Sequence, residues 1–153
     1  MQLILRLHRL SSRLQQARMG ALSRSVDGIL RVVFAACLPG RARIGERVFF
    51  HHNGLGVVIN ALCVIEDDCE IGVHVVLGGR APEIGAPHLG RGVIVHAGAR
   101  IIGPVRIGAG AVVGANAVVL DDVPSGCLAV GVPAVVKRTD VDRREYAHRG
   151  SPR

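Results

Sequence analysis

Between Leu89 and Val119 an aliphatic residue recurs at every sixth position, through Leu89, Val95, Ile101, Ile107, Val113 and Val119. Four positions after each stands a small or β-branched residue: Val93, Ala99, Val105, Ala111, Ala117 and Val123. The same beat runs upstream through Ile59, Ile65, Ile71 and Leu77, with Cys63, Cys69 and Val75 in the +4 places. A period of six matches neither the 3.6 of a helix nor the 2.0 of an alternating strand. It matches a short flat strand and a tight corner, wound repeatedly into a parallel β-helix of hexapeptide repeats.

Composition agrees with stacked thin coils. The chain has 153 residues, enough for one domain, with 20 glycines but only four aromatic residues (Phe34, Phe49, Phe50 and Tyr146). A core without large rings must be filled by Val, Ile, Leu and Ala. The net charge of +7 belongs to the ends: residues 1–47 carry nine arginines against two acids, whereas 48–134 carry four against seven. No aromatic residues alternate with the N-terminal arginines to stack on bases, so nucleic acid is not an expected partner.

The four cysteines form no CxxC pair, which points to a reduced, cytoplasmic protein without disulfides. The apolar run around 32–39 is too short to span a membrane. The first ten residues mix Arg and His into their apolar positions, unlike a secretory signal.

Residues 3–22 set Leu3, Leu7, Leu10, Leu14 and Ala17 on one face, predicting an amphipathic helix. A second helix is expected from about Asp27 until Pro39-Gly40 stops it. The expected organisation is a short α-helical cap over 1–40, the all-β solenoid over 41–138, and a frayed polar C-terminal tail over 139–153.

Two insertions interrupt the beat, His51–Gly56 and the loop from Gly78 to His88. Insertions of this kind carry function in repeat folds. With the loop set aside, Phe50, Ile71 and Val95 fall on one side of the prism in successive layers, about 4.8 Å apart. His52, His74 and His96 then share that side and point outwards. Asp67-Asp68 and Asp121-Asp122 read as solvated turns, and Asn116 as a turn residue that tolerates left-handed angles.

Phe50–Ile59, Leu77-Gly78-Gly79, Ala97–Pro104, Val113–Val119 and Gly131-Val132-Pro133-Ala134 resemble the serine acetyltransferase branch of the hexapeptide acyltransferases, over about residues 37–138. The resemblance implies a left-handed coil, although parallel crossovers are normally right-handed. It also implies a homotrimer, with acetyl-CoA in the groove between neighbouring solenoids. Gly78, Gly79, Ala97, Gly98, Gly114 and Ala115 would admit the pantetheine arm, and Lys137 and Arg138 would meet the nucleotide phosphates. The activity implied is O-acetylation of L-serine by direct attack, with no metal required.

An alcohol attacks a thioester only poorly unless its proton leaves as the bond forms, a task suited to imidazole. His52 matches the family histidine of this insertion, with one extra residue before Gly56, and His88 is the candidate second histidine. Departures accompany the match. The family aspartate before that histidine is replaced by His51, the one that orients the base aligns with Cys37, and the loop histidine aligns near Ala86. Glu83 is the loop acid that could supply a lost carboxylate.

Three competing readings follow from the same residues. One keeps the chemistry and changes the acceptor to a sugar or small-metabolite hydroxyl. The second is a zinc protein like the γ-type carbonic anhydrases, using His52, His74 and His96, although their equal spacing departs from that family's pattern. The third is a non-catalytic scaffold.

Overall fold

The computed structural model describes residues 2–147. Fourteen short strands follow two helices, α1 (Leu3–Gln16) and α2 (Gly20–Phe34). Strands β1 (Arg43–Ile44), β4 (Val64–Ile65), β7 (His88–Leu89) and β10 (Arg106–Ile107) form the first sheet. The second stacks β2 (Phe49–Phe50), β5 (Glu70–Ile71), β8 (Ile94–Val95), β11 (Val112–Val113) and β13 (Leu128–Gly131). The third holds β3 (Val58–Ile59), β6 (Val76–Gly78), β9 (Arg100–Ile102) and β12 (Val118–Val119). Neighbours in all three are parallel and separated by one coil, so the chain is a three-sided solenoid of about four turns.

The register follows the sequence beat. Phe50 pairs with Ile71, Ile71 with Val95, Val95 with Val113 and Val113 with Ala129, one column of inward residues buried through the length of the prism. The last coil is closed by β14 (Ala134–Arg138), which turns back antiparallel on β13 and covers its edge.

The helices cap the other end, where Ile4, Leu5 and Leu30 enter the solenoid core. Their boundaries differ from the sequence expectation. The first helix stops at Gln16, Arg18 turns with φ +60°, and the second begins at Gly20 rather than near Asp27. Asp27 lies inside α2 because its carboxylate ties the cap together, accepting from Ser11 Oγ at 2.5 Å and from the Gly40 N–H at 3.4 Å. The buried stripe of α1 is Ile4, Leu5, His8 and Ser11, whereas Leu3 and Leu10 of the expected face are exposed. Contact between Ser11 and Ser23 hydroxyls at 2.9 Å draws the small-residue side of the helices together.

At the corners, Asp67 and Asp68 are more than solvated turn residues. Asp67 Oδ1 accepts the Glu46 N–H at 2.8 Å, and Asp68 takes a two-pronged contact from Arg47 at 2.6 and 2.9 Å, linking successive coils. Asp122 likewise accepts the Arg106 N–H at 2.7 Å. Asn116 turns its corner with φ +55°, as expected.

Cys63 and Cys69 fill inward positions, and burial pushes both thiols up to about 12. The thiolate is the reacting species, so on the order of 10⁻⁴ of each is reactive at pH 8. Cys127 is also buried, and only Cys37 is partly exposed. Maleimide at pH 8 is therefore expected to label Cys37 in the folded protein and all four thiols after denaturation. Peptide mass mapping checks this; rapid native labelling of Cys63 or Cys69 would contradict their inward placement.

Candidate active site

The first insertion leaves the solenoid directly after Phe50. Residues His51–Gly54 form a tight turn in which His52 and Asn53 have left-handed angles, φ +48° and +53°. Its root is pinned from the cap: Gln2 Nε2 donates to the Phe50 carbonyl at 2.6 Å, and the Phe50 N–H donates to Gln2 Oε1 at 2.8 Å. Gly54 (φ +74°) tucks under α1, where an added Cβ would stand 2.7 Å from Ile4 Cδ1. The helical cap thus holds the turn that carries the histidines.

A cavity of about 480 Å³ opens beside this turn, with His51, His52, His96, Gly72, Ala97 and Tyr146 on its walls. Because Phe50, Ile71 and Val95 are in register, the residues after them, His51, Gly72 and His96, stand one above another. Gly72 has no room for a side chain, since its Cβ would lie 2.5 Å from the Ala97 nitrogen of the next coil. His74 is not part of this group. It sits at the corner with φ +56°, its ring against Gly56, whose added Cβ would fall 2.0 Å from His74 Nδ1. Among the described residues no group of three His, Cys, Asp or Glu is arranged to hold a metal ion.

The two adjacent histidines differ. His52 is exposed, and its ring makes no hydrogen bond or ion pair among the described residues. His51 is half-buried, packs edge-on against Phe49 with centroids 5.2 Å apart, and donates from Nε2 to Glu70 Oε2 at 3.3 Å. The Glu70 side chain is only 3% exposed.

Burial of Glu70 comes from the C-terminal segment. Residues 139–147 do not fray: they run across the outer face of the second sheet, with the Val141 N–H donating to the Gly126 carbonyl at 2.8 Å. Val141 packs against Ile94 and Val112, while Arg143 reaches Glu70 Oε1 at 3.7 Å and donates to the Asp68 carbonyl at 3.0 Å. The remainder of the expected tail, 148–153, lies outside the described residues. Tyr146 then meets His96, ring centroids 6.4 Å apart, and accepts from Arg138 Nη1 at 3.0 Å. Burial holds the His96 imidazole below its ordinary range, against the opposing pull of Glu70.

The other expected site residues lie at separate places. His88 stands on the first sheet with Nε2 donating to Glu66 Oε1 at 2.8 Å, and that contact is the main cause holding the Glu66 carboxyl below its usual range. Ala97, Gly98, Gly114 and Ala115 share the corner between the second and third sheets. Gly78 and Gly79 sit at a different corner, between the third and first. Stacking gives Gly98 a role of its own: its φ is +72°, and a Cβ there would meet Asn116 Oδ1 at 2.1 Å. Lys137 and Arg138 lie on β14. Glu83 is occupied by Arg80 at 2.6 Å on the exposed loop, so the carboxylate beside the histidines is Glu70 instead. A larger cavity of about 750 Å³ lies between α1 and the first sheet, away from these imidazoles.

Residues 86–121 match the bacterial transferase hexapeptide (six repeats) family. Serine acetyltransferase from Staphylococcus aureus is 34% identical over 149 residues, covering 95% of this chain and 70% of that protein. The chain belongs to the serine acetyltransferase family. The Synechococcus elongatus serine acetyltransferase is 37% identical over 137 residues, covering 88% of this chain. This chain spans only 56% of that protein's length. Soybean serine acetyltransferase complexed with serine superposes with a TM-score of 0.83 at 38% identity, covering 88% of this chain and 56% of that one. A serine acetyltransferase in complex with CoA gives 0.82 at 32% identity, covering 88% and 55%. Within this family, the chain's departures are Cys37 and His51 at the two aspartate positions. Cys37 Sγ accepts from Arg31 Nη2 at 3.4 Å, away from the histidine cavity.

Proposed function

We propose that this chain is an acetyl-CoA-dependent O-acetyltransferase whose acceptor is the hydroxyl of L-serine. The observation that carries the reading is the convergence of His51, His52 and His96 on one cavity at the insertion that the family uses for its base. Relatives solved with CoA and with serine support both substrates. In the reaction, an imidazole of the His51–His52 turn takes the hydroxyl proton as the oxygen attacks the thioester carbonyl carbon. The tetrahedral adduct then collapses, the C–S bond breaks, and the thiolate receives a proton from the imidazolium to leave as CoA. No residue of the protein is acylated.

The CoA arm is assigned to the backbone beside Gly78, Gly79, Ala97, Gly98, Gly114 and Ala115, with Lys137 and Arg138 for its phosphates. Since these fall at two corners, one chain supplies half of a groove and its neighbour in a homotrimer the other half. His88, on the first sheet, would serve the neighbour's site. Four cysteines without a disulfide and no helix among the described residues long and apolar enough to cross a membrane are consistent with a cytoplasmic enzyme.

The departures at Cys37 and His51 favour one alternative acceptor, a sugar hydroxyl. Thiol release from acetyl-CoA with L-serine or a panel of sugars decides between them. Serine-dependent CoA release with one O-acetylserine formed per thiol is expected. Release with a sugar and none with serine would overturn the serine assignment.

A further inference from the structure

We propose that the catalytic base of this chain is His51, held by the carboxylate of Glu70 from the next coil, in place of the carboxylates that the family carries at the positions of His51 and Cys37. The inference rests on the acetyltransferase reading above and changes which imidazole does the work.

The geometry of the pair carries it. Glu70 is on β5, in register with Phe49 one coil below and Ile94 one coil above, on the outer face of the second sheet. An acid there would ordinarily be solvated. Here Glu70 is 2% exposed, because Val141–Ala147 lie over it. A buried carboxylate needs charged or hydrogen-bonding partners, and its two oxygens are divided between His51 (3.3 Å) and Arg143 (3.7 Å). Phe49 holds the imidazole edge-on from the other side.

A neutral His51 that donates from Nε2 to Glu70 is fixed as the tautomer whose Nδ1 accepts a proton. When that proton arrives from the attacking hydroxyl, the imidazolium forms beside a desolvated anion that stabilises it. His52 has none of this support: its ring is exposed, and nothing among the described residues orients it. The other groups around the His51 ring are His52, His96 and Tyr146 across the cavity, with Arg143 behind Glu70. Glu70 is thus a positioning residue and His51 the group that meets the reacting atoms.

The test uses the full chain with acetyl-CoA and L-serine. His51→Gln is expected to lower kcat by about 10²- to 10⁴-fold, the range of a general base. Glu70→Gln keeps shape and should cost about 10- to 150-fold, the worth of a charge-assisted hydrogen bond. Calorimetric CoA binding should be unchanged in both. The acid limb of kcat/KM should also move about one unit towards lower pH in Glu70→Gln, because the imidazolium loses its anion; a merely structural role would leave that limb in place. His52→Ala should lose at least tenfold less than His51→Gln. An equal loss in His52→Ala, or a Glu70→Gln enzyme with wild-type rate and acid limb, overturns the inference. NMR titration of the His51 ring separates this from the parent reading. If the wild-type protein binds CoA but acetylates no serine, the serine reading falls. The pairing is then supported by a lower His51 pKa in Glu70→Gln and overturned by an unchanged one.

Discussion

Phe50→Ala is expected to destabilise the protein by about 3–5 kcal/mol, the usual cost of emptying a buried phenylalanine site. Phe50 is fully buried, the bulkiest side chain in the innermost class, and faces Ile71 in the adjacent coil. Domains of this size are stable by only about 5–15 kcal/mol, so one ring carries a large share. Collapse around the hole is limited: the Phe50 backbone is held on both sides by Gln2, and the neighbouring coils are locked by parallel ladders. The melting temperature should fall by roughly 6–20 °C. Ile84→Ala, at a loop residue that is 94% exposed, serves as the contrast and should stay within about 0.5 kcal/mol of wild type. Since Phe50 roots the turn bearing His51 and His52, turnover should fall further than the folded fraction accounts for. A Phe50→Ala protein that melts within a degree or two of wild type would show that this ring is not the floor of the first coil.

How Phe50 came to be legible explains what was not. Inward positions repeat every six residues, so a column such as Phe50, Ile71, Val95 and Val113 can be read by counting, and its register follows. The cap helices have no such counter. Asp27 looked like a helix start because acids favour that place, yet it spends its carboxylate on Ser11 and Gly40, contacts set by how the helices fold back. Glu70 was hidden for a related reason. It occupies an outward strand position, where an acid is ordinarily wet. Its burial depends on Arg143 and Val141, more than seventy residues later. The polar composition of 139–147 in turn concealed Val141 as an apolar anchor. The readable signal was there in part: Glu70 is an acid standing in a strand one residue before an inward isoleucine, one coil from Phe49-Phe50-His51-His52.

His8 makes the other large effect, a loss of stability as the solution is acidified from pH 7 to 5.5. The ring is 2% exposed. Desolvation, the main cause, lowers its pKa from the ordinary 6.5, against opposing contributions from the Pro39 carbonyl and Asp27 and with a small push in the same direction from Arg9. Nε2 can donate to the Pro39 carbonyl at 3.3 Å, whereas buried Nδ1 has no hydrogen-bond partner among the described residues. Protonation would therefore place a donor where nothing accepts it. His96 is shifted in the same direction, again by burial first. The sign follows from which state takes up protons. Both folded values lie below 6.5, so as pH falls the unfolded chain binds protons first, and stability present above 6.5 is lost on the way down towards the folded values. The lowered carboxyls of Glu66 and Asp68 act at still lower pH, below their ordinary 4.5 and 3.8, and leave this window to the histidines. Urea midpoints measured between pH 7.5 and 5.5 should fall steadily in the wild type. His8→Leu should flatten that slope, and adding His96→Gln should flatten it further. Midpoints that hold constant from 6.5 to 5.5, or a His8→Leu slope equal to that of the wild type, would mean that His8 is accessible to protons in the folded chain and that the helical cap is more loosely seated on the first coil than these contacts require.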